Sequence, residues 1–308
     1  MIRSSHPILK QRICRAFGLS CVLICLSLHI QPACAQDILK DANSVIVEAR
    51  TEVLCKSMTQ SIEKESLTIS VLNRKGLEAA RFFCGCDMFR SLQKFSGEIL
   101  NATGQSVRKI KKSELQKSEY SSSLTTDDYF YYYECNHPSF PFTVKYEWEM
   151  KCNNGLIGYL PFVPQAEFNQ GVEKATYRIE LPAGQGCRYR ELNTQGKGIQ
   201  VKESTGANGQ QVIKATASKL SPIIKEPFGT LPDNTPVTAY TLSNSSILRA
   251  RIIDFGGTVV NLWVKGKDGA EADVICGFDD VNGYLNAKGY QGAIIGRVCN
   301  RISKSKFT

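Results

Sequence analysis

Histidine is nearly absent, with three in 308 residues. His6 and His29 fall in an N-terminal stretch that reads as an export signal, which leaves His137 as the imidazole of the processed chain. One imidazole and scattered cysteines give no ligand spacing, so no metal is assigned, and no other cofactor is expected. A Cys-His nucleophile would have to join His137 to Cys135, two residues away on one strand face, with no third orienting group and no oxyanion motif beside them. His137 sits in "ECNHPSFPF" next to a proline turn, where a loop or capping role is expected. Long apolar runs are missing too. The stretch from Ala16 to Ile30 falls short of the ~20 residues a membrane-crossing helix needs, so no stable span is expected. No basic stripe interleaves with aromatic residues, which argues against nucleic acid as a partner. Nor does "GQGCRYRELNTQGKG" form a phosphate loop, because it lacks the strand-loop-helix setting and a Lys-Ser/Thr ending.

What is present begins with the N-terminus. Arg3, Lys10, Arg12 and Arg15 precede the apolar stretch, and Ala33-Cys34-Ala35 follows it, the layout of a signal peptide over residues 1–35 cleaved after Ala35. Loss of those four cations takes the formal charge from +9 to +5, mild and scattered. About 270 residues remain, enough for one large or two ordinary domains. Cys55, Cys84, Cys86, Cys135, Cys152, Cys187, Cys276 and Cys299 survive processing, and their pairing cannot be read from spacing. Cys84-Gly85-Cys86 is the one close pair; a structural role is expected for it, because a lone C-x-C lacks the setting of a redox motif.

The body of the chain is written in strand period. Val45, Val47, Ala49, Thr51 and Val53 alternate, and Val144, Tyr146, Trp148 and Met150 alternate with Lys145, Glu147 and Glu149, which predicts sheets with one wet face. The run "YFYYY", Tyr129 to Tyr133, is expected as a strand with one face in the core, not as a stacking platform. Only "LEAARFF", residues 77–83, reads as a short helix. Turn signals at Asn73 to Gly76, Thr103-Gly104 and Asn153 to Gly155 have the spacing of an all-β sandwich, and Gly206 to Gly209 predicts a hairpin. Two prolines in "KLSPIIKEPFG" place a junction near Phe228, giving a first module over 36–228 and a second over 229–308. In the second, Leu248, Ala250 and Ile252 alternate with Arg249 and Arg251, and "VKGKDGAE" predicts a hairpin turn, but too few strands remain to close a sandwich.

Two resemblances follow. "FSGEILNATGQSVRKIKKSEL", "SLTTDDYFYYYE", "PFTVKYEWEMKCNNGLIGYLPFVPQ" and "KATYRIELPAG" resemble the β-rich domain of unknown function that precedes transglutaminase-like cores in secreted bacterial proteins, over about residues 40–228. "YTLSN", "IIDFGGTVVNLWVKGKDG", "DVICGFDDVNGY" and "GAIIGRVCNRISKSKF" resemble the N-terminal part of the aldose 1-epimerase, or galactose mutarotase, family of isomerases. The second resemblance implies that Asn300 and Arg301 line a site for a hexose such as glucose or galactose. A guanidinium and an amide suit hydroxyl and ring oxygens. The residues alone favour an alternative in which Arg301 pairs with Asp279 or Asp280 at a sheet edge.

Mutarotation needs one group to deprotonate the anomeric hydroxyl and another to protonate the ring oxygen. The family's histidines and acidic residue lie downstream of the matched words, so no catalytic residue is assigned and the chain is expected to be inactive as it stands. The alternatives are a non-catalytic periplasmic or surface binding module and a truncated or fused gene product, the last favoured by the abrupt end at Thr308. Export to the periplasm or surface of a bacterium is expected.

Overall fold

A computed structural model of the chain describes residues 38–119, 127–154, 161–192, 198–243 and 248–294. The alternating segments become long strands: β1 (Ser44–Ser57), β2 (Gln60–Val71), β3 (Phe82–Cys86), β4 (Arg90–Leu100), β5 (Ser106–Lys111), β6 (Gln116–Glu119), β7 (Tyr129–Tyr133), β8 (Phe142–Asn153), β9 (Gln170–Leu181), β10 (Ile199–Thr205) and β11 (Gln211–Leu220). Eight of them form one sheet in the order β10-β11-β9-β1-β2-β8-β4-β5, and a three-stranded sheet has the order β3-β7-β6. The fold is all-β, as the period-two pattern predicts.

In the large sheet the strand patterns are borne out with one interruption. Val144, Tyr146 and Met150 are buried and Trp148 is half-buried. In β1 the register shifts between Ile46 and Glu48, so the expected run from Val45 to Val53 does not keep one face. A bulge adds one residue and moves every later side chain across the sheet. Val45 packs with Ile38 and Ala42, whereas Val53 and Cys55 join Ile179, Leu181 and Ile213.

The three-stranded sheet packs on the large one through Phe82, Cys84 and Cys86, with Tyr129, Tyr131 and Tyr133 beside them, against Ile69, Val71, Ile99, Phe142, Val144 and Tyr146. Alternate tyrosines of "YFYYY" thus face the core, as expected of an aromatic strand. The short helix differs from its expected place. A 3-10 helix spans Arg74–Ala80, capped by Asn73, whose side chain accepts from the Lys75 amide, and Phe82 and Phe83 belong to β3 instead. Asn73 offers its backbone a local partner ahead of the apolar residues, which starts the turn early. Tyr146, 1% exposed, donates its hydroxyl to the Ala80 carbonyl at 2.8 Å and fixes the end of that helix.

The chain then enters a five-stranded sheet, β12 (Ile224–Thr230), β13 (Pro236–Ser243), β14 (Arg249–Ile253), β15 (Val259–Lys265) and β16 (Glu271–Asp273), ordered as in the sequence. One α-helix, α1 (Val281–Asn286), follows, in a place where the sequence pattern gave no helix. Asp280 caps it by accepting from the Gly283 amide at 2.8 Å. The core of this part is Val237, Ala239, Ile253, Val260 and Val281, flanked by Phe228 and Tyr284. The two parts touch. Asn169 Oδ1 accepts from the backbone amide of Lys225 on β12 at 3.3 Å, and Phe168 lies 5.4 Å from the Tyr240 ring. Among the described residues no helix is long and apolar enough to cross a membrane.

Candidate functional site

In the five-stranded sheet the arginines of β14 are not on a wet face. Thr241 pairs with Arg251 and Ala239 with Ile253, so Arg249 and Arg251 share a face with the buried Ile253. This inverts the alternation expected from the sequence. Arg251 lies 5.2 Å from the Phe228 ring and 2.7 Å from Glu226; Arg249 lies 4.1 Å from the Trp263 ring and 3.2 Å from Glu271. A planar, weakly hydrated guanidinium tolerates such packing when a ring covers its face and a carboxylate its edge.

Asn300 and Arg301 lie outside the described residues. The described chain leads toward them through Gly292, whose carbonyl accepts from the Val259 amide at 2.8 Å. Gly292 has φ +70°, and a Cβ there would run into the Val259 carbonyl oxygen. Gly292→Ala is therefore expected to lower stability by about 2 kcal/mol or more, read as a lower urea midpoint, because both the left-handed backbone and the close approach exclude a side chain. Asp280 is engaged as the α1 cap. With Asp279 it lines a shallow depression of about 460 Å3 beside that helix.

His137 has the loop role the sequence suggests. Its Nδ1 lies 2.9 Å from the Ser139 carbonyl oxygen, and the ring sits 4.9 Å from Phe142, just before the cis Phe140-Pro141 bond. Burial pushes the Cys135 thiol up to about 11, which makes it a poor nucleophile. No group of three or more metal-ligating side chains occurs among the described residues.

The large sheet holds groups that nothing in the sequence marks. Across one row Tyr177, Thr51, Glu65, Trp148 and Phe95 are register neighbours on β9, β1, β2, β8 and β4. Tyr177 packs with the Ile179 cluster and Trp148 with the Tyr146 cluster, so Glu65 stands between two apolar groups. Burial, then the neighbouring Glu63 charge, push the Glu65 carboxyl up to about 8, against hydrogen bonds from Trp148 and Thr51. Burial raises Glu63 as well, opposed by Arg90. Near neutral pH this row holds a protonated carboxyl able to donate. The opposite face of the same strands is a groove of about 550 Å3 where Arg50 meets Glu52 and Lys94 meets Glu149 at 3.2 Å. Opposite charges balance there.

Comparison with known proteins accounts for both parts. The family described as a domain of unknown function with solved structure, DUF3857, matches residues 59–224, just over half of the chain. The chain belongs to the DUF3857 family. Beyond that domain, the aldose 1-epimerase family matches residues 238–308 of this DUF3857 chain. Galactose mutarotase of Bos taurus is 43% identical over 81 residues, which cover 26% of this chain and 24% of that protein. The Homo sapiens galactose mutarotase is 39% identical over 88 residues, covering 29% and 26%, and the aldose 1-epimerase of Escherichia coli 30% over 77, covering 25% and 22%. The DUF3857 chain thus spans about a quarter of the length of the curated relatives it matches. A crystal structure from Parabacteroides distasonis covers 63% of this chain and 39% of its own at 10% identity and a TM-score of 0.48, a likeness too low to carry an argument.

Proposed function

We infer that this DUF3857 chain is an exported, hexose-contacting protein whose mutarotase-like segment supplies one edge of a sugar site through Asn300 and Arg301. The observation that carries this reading is the aldose 1-epimerase match over residues 238–308, which includes both residues. Arg301 offers a rigid fork of donors to ring and hydroxyl oxygens, and Asn300 both donates and accepts. The chain is a binder and not an isomerase: His137 is held in a loop of the first part, and proton removal at the anomeric hydroxyl needs a base within hydrogen-bond reach. Export places it in the periplasm or at the surface of a bacterium.

Two measurements on the purified chain test this. Saturation-transfer NMR with galactose or glucose is expected to give sugar signals that Arg301→Ala abolishes, while polarimetry finds α-galactose anomerising at the buffer rate. An acceleration lost in Arg301→Ala would make the chain an isomerase; absence of any sugar signal would remove the hexose reading altogether.

A further inference from the structure

Three large apolar side chains stand in water at one end of the large sheet. Met58 is 63% exposed in the β1–β2 turn, and Met88 and Phe89 are 70% and 41% exposed in the β3–β4 turn. The register brings the two turns side by side. Gln60 pairs with Asn153 on β8, whose amide donates to the Phe89 carbonyl at 2.9 Å, and Cys152 pairs with both Ser61 and Arg90. Two strand spacings therefore separate the turns, roughly 10 Å. Local bonds satisfy much of the turn backbone. Asp87 Oδ1 accepts from the Phe89 and Arg90 amides at 2.8 and 2.7 Å, Asp87 Oδ2 accepts from Arg90 Nε at 2.8 Å, and Ser57 Oγ accepts from the Thr59 amide at 3.3 Å. Asp87, the one carboxylate in these two turns, is neutralised by that arginine. Lys56, two residues before Met58, and Lys151, the register partner of Ile62 and Ser91 between the turns, are both exposed, and neither faces a carboxylate across the register.

We propose that this end of the sheet docks on an anionic lipid bilayer, with Met58, Met88 and Phe89 entering the acyl boundary and Lys56 and Lys151 meeting the headgroups. Binding energy in a protein interface is concentrated near one centre. Here the apolar groups are split between two turns, which suits a layer that yields around each of them, and methionine adapts its shape to such a layer. Backbone entering the headgroup region loses water. Amides already bonded to Asp87 and Ser57 lose little by that transfer, and the Asp87–Arg90 pair enters without net charge. The two lysines add attraction to anionic lipid that fades within a Debye length, so association weakens as salt rises. Attachment is peripheral, with the tips reaching roughly 5–10 Å into the interface and no element crossing it. Neither the sugar edge nor Arg301 takes part.

Vesicle flotation tests this, using the processed chain from Gln36 so that the apolar stretch of residues 16–30 cannot bind by itself. On vesicles of phosphatidylcholine and phosphatidylglycerol in equal parts, at low salt, the protein is expected to float. The triple variant Met58→Ser/Met88→Ser/Phe89→Ser is expected to lower the partition coefficient about tenfold or more. Lys56→Gln/Lys151→Gln should weaken binding to the mixed vesicles and leave binding to pure phosphatidylcholine unchanged. Val107→Ser is the control: Val107 is 50% exposed on β5 at the opposite end of the sheet, and its loss should change nothing. All these side chains are exposed, so the urea midpoints should match that of the wild type, which separates lost docking from lost fold. Wild-type protein that stays in the dense fraction, a triple variant that floats equally well, or an equal loss in Val107→Ser would overturn the proposal. So would a dimer in size-exclusion chromatography that the triple variant abolishes without any flotation, since the turns would then belong to a contact with a second copy.

Discussion

Phe82→Ala is expected to cost about 3–5 kcal/mol of stability, the range for deleting a large buried aromatic side chain. Phe82 is 3% exposed and lies 4.5 Å from the Phe95 ring, 5.3 Å from Trp148 and 5.4 Å from Tyr146. It carries the contact between the three-stranded sheet and the large one, with rings on β4 and β8 around it. Removal leaves a space those rings cannot fill without leaving the tilted arrangements they occupy. Urea unfolding followed by tryptophan fluorescence measures the effect directly, since Trp148 is one of the neighbours. Phe82→Leu should lose much less, about 1 kcal/mol, because most of the volume returns. A loss below about 1 kcal/mol for the alanine variant would mean that the small sheet does not depend on this contact.

Glu65→Gln is expected to stabilise the protein at alkaline pH and to leave it nearly unchanged in acid. The folded-state pKa of Glu65 is about 8, against an unfolded value of about 4.3. The folded form therefore holds the proton more tightly than the unfolded one. Its contribution to stability is fully present below about pH 4.3 and is lost as pH rises through about 8. The wild-type protein should lose up to about 1.4 kcal/mol per pH unit across that window. Because Glu65 is only half-buried, the expected total is discounted to on the order of 3 kcal/mol. Glutamine keeps the shape and has no proton to lose, so its stability profile should flatten. Denaturation at a series of pH values decides the matter; parallel profiles for the two proteins would refute it.

Much of the architecture was legible in the residues because strands write their period directly. Tyr146 and Met150 alternate with lysine and glutamate, and the Asn208-Gly209 turn announces the hairpin between β10 and β11. The failures have local causes. A bulge in β1 has no compositional signature in "SVIVEAR", so the face exchange after Ile46 is invisible to alternation. The arginines of β14 look wet because charge is ordinarily solvated, whereas Phe228 and Trp263 make room for them only once the sheet exists. Glu63 and Glu65 sit in "SIEKESL", a stretch as polar as any surface strand. Their burial follows from apolar neighbours on β8 and β9, far away in the sequence. The residues expected at the sugar edge, Asn300 and Arg301, were carried by family words and not by pattern.

The parallel pairing of β1 with β9 has a bearing on how the chain reaches its fold. Ser44 is matched to Gln170 and Leu54 to Glu180, so the centre of the large sheet joins segments that the intervening chain keeps far apart. The β1–β2 hairpin can zip locally as soon as it is made, yet β1 keeps an open edge until β9 has been delivered. Non-local closure of this kind sets the pace of β-protein folding. As the chain is made from its N-terminus, β1 keeps that edge until the strand ending at Leu181 is out, and the sheet is complete only with β11, which ends at Leu220. Until then a half-built edge must be kept from other chains.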